Sequence, residues 1–261
     1  MTTPDFLRQH QPSAASGIST RPEDLAPVLD WDYFITRVFD WQQDEHVGLI
    51  GPTGTGKSNL TYQILPLRSY VAFFATKPRD ETLDKFARKA GYIKTPDWPM
   101  HKGKGPFKRI VPAQEIPRRI LWPDARTLYA HENQTRVFKT ALEDIYAQGG
   151  WCVVWDEFWA MCTMLGMEKE ARVLLQQARS NKIAFVMGAQ RPSRIPLELF
   201  DQATHLFFSR DNDERNLERI SGIGWLASGP IRYLVASLER YQFLYVNTRE
   251  GWMYRVKCKL A

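Results

Sequence analysis

The chain has 261 residues, and at 44% apolar and 25% charged it has the make-up of an ordinary globular protein with material for one core. No run of eighteen apolar residues argues for a membrane span, and the opening MTTPDFLRQH lacks the pattern of a secretory signal. The three cysteines (Cys152, Cys162 and Cys258) have no metal-ligand spacing and fit a reducing compartment such as the cytoplasm. The net charge of +6 is uneven: residues 61–139 hold 16 Lys/Arg against 7 Asp/Glu, a surplus of nine, so the remainder is net −3. That leaves open a nucleic-acid footprint and a solvated surface insertion.

In chain order, residues 1–28 are rich in Pro, Ser, Thr and Ala and read as a flexible arm, with residues 29–261 as the folded domain. Trp31, Phe34, Val38 and Trp41 recur at helical spacing and predict a short helix with an aromatic face. His46–Ile50 reads as a buried strand and Lys57–Leu65 as a helix stopped by Pro66. Val71–Ala75 is a second strand, and Glu81–Ala90 a helix closed by Gly91. Residues 92–126 hold six prolines among basic residues and tryptophans, which predicts an irregular basic insertion with a short strand at Arg109–Val111. Asn133–Tyr146 is a helix, Trp151–Trp155 a strand, Glu168–Arg179 a helix, and Ile183–Met187 and His205–Ser209 strands. Asp211–Ile220 follows as a helix, and residues 241–257 form a terminal β-hairpin. Apolar strands alternating with helices imply an α/β fold, a mostly parallel sheet with helices on both faces.

Four motifs carry chemistry. Gly51-Pro52-Thr53-Gly54-Thr55-Gly56-Lys57-Ser58 is a complete GxxxxGK[ST] motif between a predicted strand and a predicted helix. Its glycines let successive N–H groups converge on a phosphate, and the helix that follows, with Asn59 in its first turn, adds positive potential. Lys57 reaches β- and γ-phosphates of ATP, and the Ser58 hydroxyl is a Mg²⁺ ligand. WCVVWDE ends a strand in two carboxylates, with Asp156 suited to the Mg²⁺ shell and Glu157 to polarising the attacking water. An acidic pair also commonly opens a helix, and the P-loop beside it favours the catalytic reading. Gln190 ends the strand IAFVMGA, either as a sensor of the γ-phosphate and water or as a turn residue. Arg179 ends a helix, where the macrodipole alone favours a cation.

GPTGTGKS (51–58), WCVVWDEFWAM (151–161), LLQQARSNKIAFVMGAQRPSRIP (174–196) and LFFSRDNDERNLERISG (206–222) together resemble the FtsK/HerA superfamily of P-loop motors. The resemblance spans about residues 46–225. It implies a RecA-like core, a homo-oligomeric ring, a hexamer by preference, and movement of double-stranded DNA. It also implies that Arg179 is an arginine finger serving a neighbour's ATP and Gln190 the sensor glutamine. Arg191, Arg194 and Arg210 are the competing arginines. The sequence departs from many members in having Ala189 before the glutamine, no membrane anchor and no winged-helix tail. It looks most like genome-packaging or mobile-element motors, with a portal, capsid or relaxase-type partner and, for a virus, a place in host cytoplasm or virion.

The basic stretch adds Lys102, Lys104, Lys108, Arg109, Arg118 and Arg119 as candidate DNA contacts. Two other functions remain open on these residues. One is an ATP-gated scaffold that changes shape without moving DNA. The other is a terminase-like motor, which the absence of a second acidic cluster disfavours.

Overall fold

The computed structural model describes residue 24 and residues 26–103, 105–194, 197–221 and 228–259. The flexible arm expected over residues 1–28 falls mostly outside them, but its last residues belong to the fold. Ala26 is buried, and the carbonyl of Pro27 accepts a hydrogen bond from the amide of Arg255.

Twelve strands are present among the described residues: β1 (Val28–Leu29), β2 (His46–Ile50), β3 (Val71–Phe74), β4 (Ile93–Thr95), β5 (His101–Lys102), β6 (Arg109–Ile110), β7 (Arg118–Leu121), β8 (Cys152–Trp155), β9 (Ala184–Ala189), β10 (Ala203–Ser209), β11 (Gln242–Asn247) and β12 (Trp252–Lys257). Ten of them form one sheet in the order β1-β12-β11-β10-β2-β9-β8-β3-β7-β4. From β10 to β4 every pairing is parallel, whereas β11 runs antiparallel to both β10 and β12. The strands β2, β3, β8, β9 and β10 are buried along their whole length, as expected of parallel strands covered on both faces.

The two-residue alternation of side chains sorts each central strand between two cores. Ile50, Phe74, Val153, Trp155 and Phe185 point to one core. There they meet α4 (His131–Gln148) through Val137, Phe138 and Ala141, and α6 (Glu168–Gln177) through Ala171, Leu174 and Leu175. On the other face, Val47, Leu49, Phe73, Val154 and Val186 meet α2 (Lys57–Ile64) and α3 (Glu81–Ala90). α3 is closed at both ends as its sequence predicts: the Asp80 carboxylate accepts from the Leu83 amide, and Gly91 takes the left-handed conformation after the last turn. The aromatic segment near the start is helical, but only Trp31–Tyr33 (α1) is α-helical, and Phe34–Val38 widens into a π-turn. The helix expected over Glu168–Arg179 tightens to a 3₁₀ turn from Ala178.

The irregular reading of residues 92–126 needs correction. Two pieces of this segment, β4 and β7, are strands of the main sheet, and only the span between them stands apart, as the β5–β6 ribbon. The prolines that forbid helices there sit in the connections and leave the two strands intact. The remaining helices are α5 (Phe158–Thr163), α7 (Leu197–Gln202), α8 (Glu214–Ser221) and α9 (Ser228–Ser237).

Candidate active site

In an open parallel sheet, ligands gather at the carboxyl edge of the strands, and four consecutive strands deliver functional groups there. β2 runs into the glycine-rich loop, β9 ends before Gln190, β8 ends before Asp156 and Glu157, and β3 leads to Lys77. A cavity of about 270 Å³ lies between them, lined among others by Lys57, Ser58, Lys77, Asp156, Glu157 and Gln190.

The loop turns into α2 at Gly56, whose φ of 102° is open to glycine and strained for other residues. Pro52, Thr53, Gly54 and Thr55 form the turn, braced by a hydrogen bond from the Thr55 hydroxyl to the Pro52 carbonyl of 2.9 Å. The Lys57 ammonium donates to the carbonyls of Gly51 (2.6 Å) and Pro52 (2.8 Å). Burial pulls its pKa below the usual lysine range, while the charges of Asp156 and Glu157 work against that fall. The Ser58 hydroxyl donates to Asp156 at 3.1 Å from Oδ2 and 3.3 Å from Oδ1. Desolvation raises the Asp156 pKa, and Lys77 opposes the rise.

The Gln190 amide donates to both oxygens of Glu157, at 3.0 and 2.8 Å. This contact depends on β9 lying directly between β2 and β8. β9 comes very close to β8 at Gly188, where a Cβ would stand 2.3 Å from the Asp156 carbonyl oxygen.

Lys77 is a site residue that the sequence reading did not single out. Its ammonium lies 3.2 Å from Glu157, 4.0 Å from Asp156 and 3.8 Å from Asp80. Burial lowers its pKa, but the two carboxylates outweigh it, so the net shift is upward. The available signal was its position, three residues past the buried strand β3, which lies beside β8 in the sheet.

Ser58, Asp156 and Lys57 are a donor set suited to Mg²⁺ and a polyphosphate. The largely desolvated Asp156 carboxylate and the neighbouring hydroxyl are hard oxygen ligands for Mg²⁺, and the loop amides with Lys57 are complementary to phosphate. Asn59 donates to the Lys259 carbonyl at 2.6 Å, which ties α2 to the end of β12.

Arg179 is not in this cavity. Its guanidinium donates to the Gln202 carbonyl and, at 3.4 Å, to the Thr204 hydroxyl, beside the start of β10. That is the amino edge of the sheet. β2 separates it from the P-loop by five residues, about 16 Å at the usual strand rise. Its Nε is buried with no hydrogen-bond partner among the described residues.

The six candidate DNA contacts do not form one surface. Arg119 is buried, with its guanidinium donating to the carbonyls of Ile116, Val111 and Pro112 and lying 5.0 Å from the Trp98 ring. It is a cation of the core and does not face solvent, so it is withdrawn as a DNA contact. Arg118 is a half-buried residue of β7. Lys102 and Arg109 both pair with Glu115 at 2.8 Å on the exposed ribbon, and Lys108 is exposed beside Phe107. Lys104 lies outside the described residues.

No family model matches the chain, and no curated protein does. Solved structures do. The genome packaging NTPase B204 of Sulfolobus turreted icosahedral virus 2, in complex with AMP, shares 15% identity at a TM-score of 0.56, covering 84% of this chain and all of B204. VirB4 of Thermoanaerobacter pseudethanolicus shares 11% at a TM-score of 0.58, covering 83% of this chain and 89% of VirB4. The chain therefore has the α/β P-loop ATPase fold of these proteins, the fold that its resemblance to the FtsK/HerA superfamily called for.

Proposed function

We propose that this chain is an ATP-hydrolysing motor that works as a homo-oligomeric ring, most simply a hexamer, and translocates or packages double-stranded DNA. The observation that carries the reading is the meeting of two pairs at one sheet edge: Ser58 with Asp156, and Gln190 with Glu157. The fold shared with a packaging NTPase supports the DNA substrate.

Each group has a role that its position allows. The backbone amides of residues 53–58 bind the phosphates, and Lys57 leaves the Gly51 and Pro52 carbonyls for the β- and γ-phosphate oxygens. Ser58 and Asp156 hold Mg²⁺, which when bound neutralises phosphate charge. Glu157 accepts the proton of the attacking water, and Gln190, bonded to both its oxygens, orients the carboxylate and senses the terminal phosphate. Lys77 positions the acidic pair. Arg179 lies too far from its own loop to serve it, so its part is that of an arginine finger, reaching from the amino edge of its own sheet to the carboxyl-edge site of a neighbouring subunit. The exposed Lys102, Lys108 and Arg109 supply a charged ribbon for the DNA backbone or for a portal, capsid or relaxase-type partner. No helix among the described residues is long and apolar enough to cross a membrane.

The test is ATP turnover with and without duplex DNA. A DNA motor hydrolyses faster on DNA, and Glu157→Gln cuts turnover on the order of a hundredfold or more while ATP still binds. Turnover indifferent to duplex DNA at any length would replace this reading with that of an ATP-gated scaffold.

A further inference from the structure

The proposed ATP site accounts for the phosphate end of the ligand and leaves the nucleobase end without a partner. The order of strands shows where that end lies. The hydrolytic groups come from β8 and β9, on one flank of the P-loop strand β2. A terminal phosphate held against Glu157 sends the rest of the nucleotide toward the opposite flank, where β10 and β11 lie. The cavity wall on that side includes Tyr241, the residue just before β11.

Tyr241 is built in with care. Its φ of 63° lies in the left-handed region, which a non-glycine residue seldom occupies and which clusters at ligand sites. Its carbonyl accepts the Cys258 amide at 3.2 Å, tying it to the end of β12. Its ring lies so close to the P-loop that a Cβ on Gly56 would stand 2.7 Å from Tyr241 Cδ1. The Arg240 guanidinium sits over the same ring, 4.8 Å from its centre, and limits the ring's freedom. α2 is tied to the same flank through Asn59 and Lys259.

We infer that Tyr241 is the nucleobase platform: a purine stacks on its ring while its phosphates occupy the P-loop, and Arg240 holds the ring in place. This rests on the nucleotide reading above and adds to it the residue that separates a nucleotide from a bare polyphosphate. Stacking is tolerant of base identity, so the platform predicts preference for nucleotides over inorganic phosphates without strict choice among purines.

Calorimetric titration with Mg²⁺-ADP and with Mg²⁺-pyrophosphate separates the two parts. The wild type should bind ADP more tightly than pyrophosphate. Tyr241→Ala should weaken ADP about five- to a hundredfold, the usual range for a base–aromatic stack, and leave pyrophosphate within about twofold. Tyr241→Phe, which keeps the ring, should bind ADP as the wild type does. ADP affinity unchanged in Tyr241→Ala overturns the inference, and so does a parallel loss of pyrophosphate, which would make the ring a prop for the P-loop. A wild type that binds both probes equally overturns the platform and leaves the phosphate site standing. A wild type that binds neither overturns both.

Discussion

At the scale of single residues, the most exacting arrangement is the cluster of two cations and two carboxylates around one cavity. Lys57→Ala removes the cation that meets the phosphates and should abolish ATP turnover, with the melting temperature little changed, since its partners in the fold are two carbonyls of its own loop. Retained turnover in that variant would refute the site. Lys77→Met has a different signature. Lys77 lowers the Asp156 pKa against the desolvation that raises it, so its loss should move the acid limb of the pH–rate profile to higher pH. An unmoved limb would show that Lys77 does not govern the pair. His46, at the other end of β2, tests a linkage of stability to pH. Burial, helped by the nearby Arg179, drops its pKa from 6.5 to about 4, and its Nδ1 accepts the Phe185 amide. The unfolded imidazole takes up a proton near 6.5 and the folded one only near 4, so acid favours unfolding between those values. Stability from this group is complete above pH 6.5 and falls toward pH 4, by on the order of 3 kcal/mol. Urea midpoints across that range should fall less steeply for His46→Gln, which accepts a hydrogen bond and does not titrate. Equal slopes would remove His46 as the cause.

At the scale of elements, each strand of the catalytic half was legible because it is an unbroken apolar run between turn signals, as HVGLI and CVVW show. The P-loop and the Asp-Glu pair followed from those runs, since a motif's position at a strand end is itself sequence information. β4 and β7 were not legible. Ile93–Thr95 is short and largely exposed, and Arg118–Leu121 opens with two arginines, which read as surface. Only the fold reveals that Arg119 is satisfied by three carbonyls and two tryptophan rings. Lys77 and Tyr241 escaped for a related reason: neither has a motif, and both reach the site through strand order, which one sequence does not display. Strand order also sets a prediction. With a Gly188 Cβ 2.3 Å from the Asp156 carbonyl, the neighbour is backbone at the end of β8 and cannot swing aside as a side chain could. Gly188→Ala should destabilise the fold by about 1–3 kcal/mol, read in a denaturant titration, and lower turnover by displacing the acidic pair. A variant of normal stability would mean that β8 and β9 separate more easily than their pairing suggests.

At the scale of the whole molecule, the sheet has two chemically unlike edges, with the glycine-rich loop and the Asp156–Glu157 carboxylates on one and Arg179 on the other. If a neighbour's site needs that arginine, Arg179→Ala and Lys57→Ala subunits are each inactive alone. Mixed, they should recover part of the wild-type ATPase rate, because some interfaces then join an intact loop to an intact arginine. A monomer fully active at nanomolar concentration would dispose of the ring. The outer strands bear on how such copies can meet. Among the described residues the ten-stranded sheet ends in a two-residue strand, β1, on one side and a three-residue strand, β4, on the other. β4 is further marked by Lys94, paired with Asp84. Edges so short, one carrying a charged lysine, offer too few free backbone groups to recruit a further strand. Copies of this chain are therefore not expected to grow by continuing one another's β-sheet. Contacts between them fall to helices and loops, surfaces that can shift against each other without breaking a ladder of backbone hydrogen bonds. The same blunt edges protect the chain from the fibrous aggregation to which long, flat sheet borders are prone.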